Sequence, residues 1–146
     1  MRIQRIDHIG VVVNDLAAAK EFFLDFGFTV QGEAEEQSEL LDKVTGVKNA
    51  KSQIVFLQAP NDQINIELTK MIHPTDTSEV GKNFIYSHGI QHLAFVVDDI
   101  EDIVASMKQK GYEVFVDVYN YEDAYKLCYF RGPEGIIIEL AEELSE

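Results

Sequence analysis

The chain has 146 residues, 46% hydrophobic and 26% charged, with a formal net charge of −14 and a single cysteine. That length buries one good core or two small fused ones, and the composition is ordinary for a soluble globular protein. The negative charge repels nucleic acid and anionic membrane surfaces. One cysteine allows no internal disulfide, and no apolar run approaches a membrane-spanning length, so a cytoplasmic protein is expected.

In chain order, Arg5–Val13 is short and rich in Ile and Val, which reads as a strand. Asn14 or Asp15 caps the helix that follows, with Leu16, Ala19, Phe22, Phe23 and Phe26 at helical spacing and Gly27 at its end. Phe28–Gly32 is the next strand, and residues 38–46, SELLDKVTG, predict a short capped helix. A strand ending in Ile66-Glu67-Leu68 closes this half, and residues 71–89 read as a linker with His73 and His88 exposed. Beyond it, Gly89–Val97 is a strand, Asp98 or Asp99 a cap, and Ile100, Ile103, Val104 and Met107 one face of a helix ended by Gly111. Tyr112–Tyr119, Ala124–Phe130 and Gly135–Ala141 complete the half as strands, the last two joined by a Gly-Pro-Glu-Gly turn.

The second half repeats the first. Residues 7–16 read DHIGVVVNDL and residues 91–100 read QHLAFVVDDI, so His8 and His92 begin equivalent units 84 residues apart. Gly27-Phe28 and Gly111-Tyr112 follow their histidines at the same distance, and Ile66-Glu67-Leu68 is matched by Ile138-Glu139-Leu140. Each unit is strand, helix and three strands, which predicts an α+β protein of two modules, residues 1–70 and 90–146. The first unit is longer, with 39 residues from Phe28 to Glu67 against 27 from Tyr112 to Glu139, and the short helix at 38–46 accounts for the excess.

A lone His beside an apolar strand is ordinarily structural, and a Glu in an apolar run is ordinarily a solvent-facing strand position. Their recurrence at matching places changes that reading. Packed about a pseudo-twofold axis, the modules would bring His8, Glu67, His92 and Glu139 to one point. Two imidazole nitrogens and two carboxylate oxygens suit zinc, nickel, cobalt, manganese or ferrous iron without choosing among them. Tyr119, Tyr121, Tyr125 and Tyr129 cluster around one turn, where Tyr121 and Tyr129 are candidate substrate contacts. Arg131, with its planar fork, is a candidate for a substrate carboxylate or phosphate. Glu33, Glu35, Glu36 and Glu39 form an acidic stretch, and Cys128 reads as a small core residue.

The segments DHIGVVVNDL, INIELTK, GIQHLAFVVDDI and FRGPEGIIIEL resemble the vicinal oxygen chelate superfamily, which includes glyoxalase I, methylmalonyl-CoA epimerase, extradiol dioxygenases and fosfomycin- and bleomycin-resistance proteins. The resemblance spans Asp7 to Glu142 and implies tandem βαβββ modules forming a curved, open, barrel-like cleft, a homodimer, and a divalent metal at His8, Glu67, His92 and Glu139. Four ligands of this kind most resemble glyoxalase I, and GIQHLAFVVDDI is also close to the epimerase pattern. By that resemblance the chain is a glyoxalase-like isomerase, lyase or epimerase. It would remove a proton beside a carbonyl of a small-molecule substrate, through a metal-stabilised enediolate or enolate, with Glu139 or Glu67 as the base. The alternatives are a small-molecule binding or resistance protein of the same superfamily and a ring-cleaving dioxygenase.

Overall fold

Alternating burial starts the first module. In β1 (His8–Val12) Ile9 and Val11 turn inward while His8, Gly10 and Val12 stay exposed. Asp15 then accepts a hydrogen bond from the Ala18 amide at 3.0 Å and opens α1 (Leu16–Asp25). Helical spacing buries Ala19, Phe22 and Phe23, and Phe23 meets Phe22 and Phe28 edge-on, with centroids 5.3 and 5.2 Å away. β2 (Thr29–Glu36) is followed by the expected short helix, α2 (Glu39–Thr45), capped by the Ser38 hydroxyl and ended by Gly46 in the left-handed region at φ 71°. The Asp42 carboxylate then accepts from the amides of Asn49 and Ala50 and steers the chain into β3 (Lys51–Gln58). β4 (Asn65–His73) completes the module.

The computed structural model describes residues 1–79 and 83–144. The chain divides into two compact units, Met1–Ser78 and Glu79–Glu146. In the first, the strand order is β1-β4-β3-β2, with β1 parallel to β4 and the other pairs antiparallel. α1 covers one face of β3 and β4, over Val55, Leu57, Ile66 and Leu68, which are all buried. Side chains alternate across a strand, so Glu67 points away from Ile66 and Leu68 to the opposite face.

The second unit repeats the plan with β5 (His92–Val96), α3 (Ile100–Gln109), β6 (Glu113–Tyr121), β7 (Tyr125–Arg131) and β8 (Ile137–Glu143), in the order β5-β8-β7-β6. Its core is built on Ile100, Val104, Met107, Phe130, Ile138 and Leu140. The α+β class and the two βαβββ modules therefore stand as the sequence predicts. Neither sheet closes on itself: each ends in an edge strand on either side.

β1 and β5 begin at His8 and His92, three residues later than the expected Arg5 and Gly89, and three further departures have a clear cause. β4 runs to His73, into the expected linker, because β3 continues to pair it through Ser52–Met71 and Lys51–His73. β2 extends to Glu36 rather than Gly32, again because β3 pairs with it throughout. Asp99 occupies the cap position of α3, but at φ 53° and ψ 53° its side chain caps nothing; the Glu142 carboxylate, from β8, accepts from the Ile100 amide at 2.8 Å instead. Among the described residues, no helix is long and apolar enough to cross a membrane.

Candidate functional site

Each module presents one His–Glu pair on the sheet face opposite its helix. In the first, Gly10 stands directly across from Glu67 in the parallel ladder, and His8 lies two residues earlier on the same face. Glu67 reaches diagonally to the histidine, and His8 Nε2 lies 2.9 Å from Glu67 Oε2. In the second module Ala94 stands across from Glu139, and His92 Nε2 lies 3.2 Å from Glu139 Oε1. The small residue opposite the glutamate is common to both.

The other ring nitrogen of each histidine is held by the residue before it. Asp7 Oδ2 is 2.7 Å from His8 Nδ1, and a carboxylate only accepts, so Nδ1 carries the hydrogen. Gln91 donates its amide N–H to the Ile85 carbonyl, which turns its amide oxygen to His92 Nδ1 and makes that nitrogen a donor too. In the neutral ring, Nε2 is then an unprotonated lone pair facing a carboxylate oxygen. Two such atoms this close require positive charge between them, either a proton or a metal ion.

The Asp7 hydrogen bond, with lesser help from the Glu67 charge, raises the pKa of His8 above the ordinary imidazole value. Asp7 itself is lowered, first by His8 and then by Arg5, whose guanidinium lies 2.6 Å away.

The donor set fits a divalent cation. Bonds of about 2.0–2.2 Å from an ion to an imidazole nitrogen and to a carboxylate oxygen put those atoms about 3 Å apart, as both pairs have them. A second hydrogen bond fixing the ring is the usual support of a metal-binding histidine. One pair supplies only two ligands, and among the described residues no group of three or more His, Cys, Asp or Glu is placed to hold an ion.

The expected substrate contacts separate. Tyr129, directly across β7 from Glu139, donates its phenol hydrogen to Glu139 Oε1 at 2.6 Å and packs edge-on against His92. That hydrogen bond, aided by burial, pushes the Tyr129 pKa up to about 12. A cavity of about 510 Å³ opens here, lined by Tyr125, Leu127, Tyr129, Glu139 and Glu143. Tyr121 lies beyond this lining, stacked on Tyr125 with centroids 5.3 Å apart. Arg131 is engaged locally: it donates to the carbonyls of Gly135 and Asn83 and lies 5.4 Å over the Phe115 ring, an arrangement that ties the turn at 132–135 to the segment before β5. A larger cavity, about 590 Å³, lies in the first module beside α1, lined by Asp15, Lys20, Glu33, Gln53 and Lys70, and neither His8 nor Glu67 borders it.

Of the acidic stretch, Glu33 pairs with Lys20 at 2.7 Å and Glu35 accepts from Gln53. Cys128 is fully buried, and burial pushes its pKa up to about 11. His73 and His88 are exposed, as expected. Sequence reasoning missed the roles of Asp7 and Gln91; the signal was a hydrogen-bonding residue immediately before the histidine in both repeats.

The model of the Glyoxalase/Bleomycin resistance protein/Dioxygenase superfamily matches residues 5–140. The chain is 32% identical to a glyoxalase family protein from Bacillus cereus of known structure, with a TM-score of 0.93 over 99% of this chain and 97% of that one. It is 28% identical to the uncharacterized protein YaeR of Escherichia coli, over 97% of this chain and 98% of that protein. The fosfomycin resistance protein FosX of Listeria monocytogenes, solved with Mn(II) and sulfate, shares the fold at 16% identity, with a TM-score of 0.63 over 97% of this chain and 93% of that one.

Proposed function

This chain belongs to the Glyoxalase/Bleomycin resistance protein/Dioxygenase superfamily, and we propose that it is a metal-dependent isomerase, lyase or epimerase that removes a proton from the carbon beside a carbonyl of a small-molecule substrate. The observation that carries the proposal is the twice-built pair in which an imidazole Nε2 faces a carboxylate oxygen, with the far side of each ring already tied. His8, Glu67, His92 and Glu139 are the proposed ligands of one divalent cation. Each module supplies two of the four, so the set takes both modules, from one chain or from the two chains of a homodimer. Zinc, nickel, cobalt, manganese and iron all suit these donors, and the Mn(II) in FosX gives a precedent in the fold.

When held by these residues, a divalent cation would supply positive charge to stabilise negative charge developing on the carbonyl oxygen. His8 and His92 hold their nitrogens in place through Asp7 and Gln91. Glu67 and Glu139 are the groups within reach that accept and return a proton. Tyr125, Leu127 and Tyr129 give the second module an aromatic and apolar wall against which a small substrate packs and from which water is displaced. The single buried cysteine accords with a cytoplasmic setting.

Native mass spectrometry and metal analysis of the purified protein test this directly. One divalent ion per chain is expected, in an assembly of twice the 16.5 kDa chain mass. His8→Ala and His92→Ala should each lose the ion, and the metal-loaded wild type should exchange substrate hydrogen for solvent deuterium on 2-oxo-aldehydes, 2-oxo-acids or acyl-CoA thioesters. A wild-type protein that holds no divalent metal at micromolar concentration sinks the proposal.

A further inference from the structure

The two half-sites are not chemically alike, and the difference lies directly across from each glutamate. In the second module Tyr129 faces Glu139 across the β7–β8 ladder and donates to its Oε1 at 2.6 Å. The equivalent register in the first module, β3 against β4, pairs Phe56 with Glu67. A phenylalanine ring offers no hydrogen, and among the described residues the Glu67 carboxylate has His8 as its partner and no other. One carboxylate therefore has two partners, a phenol and an imidazole, which both meet its Oε1. The other has an imidazole alone.

Restraint has opposite consequences for the two tasks a metal-site carboxylate performs. A permanent ligand gains from a hydrogen bond that fixes its orientation, because less freedom is lost when it binds. A general base has to swing away from the ion toward the substrate and back, and a hydrogen bond to its oxygen both hinders that swing and weakens its pull on a proton. Tyr129 favours the first task for Glu139, and Phe56 leaves Glu67 free for the second.

We infer that Tyr129 is a positioning residue that makes Glu139 the fixed ligand and leaves Glu67, opposite Phe56, as the base. The inference rests on the metal-dependent reading above and divides labour that the repeat alone leaves equal. In the step itself the substrate C–H bond breaks, its proton goes to a Glu67 oxygen, and its electron pair is drawn toward the carbonyl oxygen. Glu67 then returns the proton to substrate carbon, so no oxidant, reductant or second reactant is consumed.

Two mirrored substitutions separate the roles, read by Co(II) binding and the visible spectrum of the Co(II) protein as well as by hydrogen exchange into substrate. Tyr129→Phe keeps the ring and removes the hydroxyl. It should weaken Co(II) binding by about 10- to 100-fold, the usual effect of losing a partner that orients a ligand, and should alter the Co(II) absorption bands. Phe56→Tyr installs the missing phenol opposite Glu67. It should leave Co(II) affinity within about threefold of wild type and slow kcat for substrate exchange by at least about tenfold, below the full contribution of a general base because the carboxylate is hindered rather than removed.

Equal Co(II) affinity and identical spectra in wild type and Tyr129→Phe overturn the positioning role, whatever happens to KM. Unimpaired exchange in a metal-loaded Phe56→Tyr protein overturns the assignment of the base to Glu67. Failure of the wild type to bind Co(II) is a different result: it removes the metal-dependent reading itself.

Discussion

Among the described residues, Ser52 carries a buried side-chain oxygen with no hydrogen-bond partner. It sits at the start of the regular β3 ladder, across from Met71 on one side and Glu36 on the other, and is fully enclosed. A hydroxyl sealed in this way forfeits its bonds to water without replacement, at a cost of about 1–3 kcal/mol. Ser52→Ala removes the oxygen and leaves a void smaller than a methyl group. It should raise stability by about 1 kcal/mol, or roughly 3 °C in the midpoint of thermal unfolding for a chain of this size; a lower midpoint would mean that the hydroxyl has a partner. Cys128 is equally enclosed, yet its thiol is a weak donor that tolerates apolar surroundings. Its raised pKa keeps it protonated and unreactive at neutral pH. Sequence pattern identifies Cys128 as core but cannot single out Ser52, because a serine in a strand is ordinarily a solvent-facing residue.

At the scale of elements, local chemistry is legible in the sequence and long-range chemistry is not. Asp15 and Ser38 cap their helices with their own side chains, and each lies just ahead of the helix it caps. The start of α3 looks similar in sequence but is capped by Glu142, 42 residues from Ile100. Glu142→Ala should therefore destabilise the protein by about 1 kcal/mol, a typical cost of losing a helix cap, whereas Asp99→Ala should not remove a capping bond at all. Urea unfolding of the two variants checks the order; equal losses would contradict it. β2 reads short in sequence for a related reason. Residues 31–36, QGEAEE, have no apolar alternation, since an edge strand largely open to solvent needs none, and only pairing with β3 reveals it as strand.

For the whole molecule, the repeat makes both His–Glu pairs legible from the residues alone, because duplication turns two ambiguous residues into a matched set. The same symmetry conceals the bond from Tyr129 to Glu139, because the counterpart Phe56 differs by a single oxygen that no alignment of the halves marks as chemical. A net charge of −14 adds a negative field that draws cations inward and repels polyanions.

One architectural detail reaches further. Each histidine lies on the outermost strand of its sheet, β1 or β5, five residues long and laddered to a single neighbour, while each glutamate lies on the strand inside it. Such margins are where a sheet unravels first. Whatever is gripped between His8 and Glu67, or between His92 and Glu139, consequently rivets a loose hem to the fabric behind it. Amide hydrogens at 9–12 and 93–96 should trade with solvent more slowly once zinc or manganese is added, and mass-resolved deuterium uptake would register the change. If both margins exchange at the same pace with and without the ion, the rivet is absent, and occupancy and rigidity are independent in this protein.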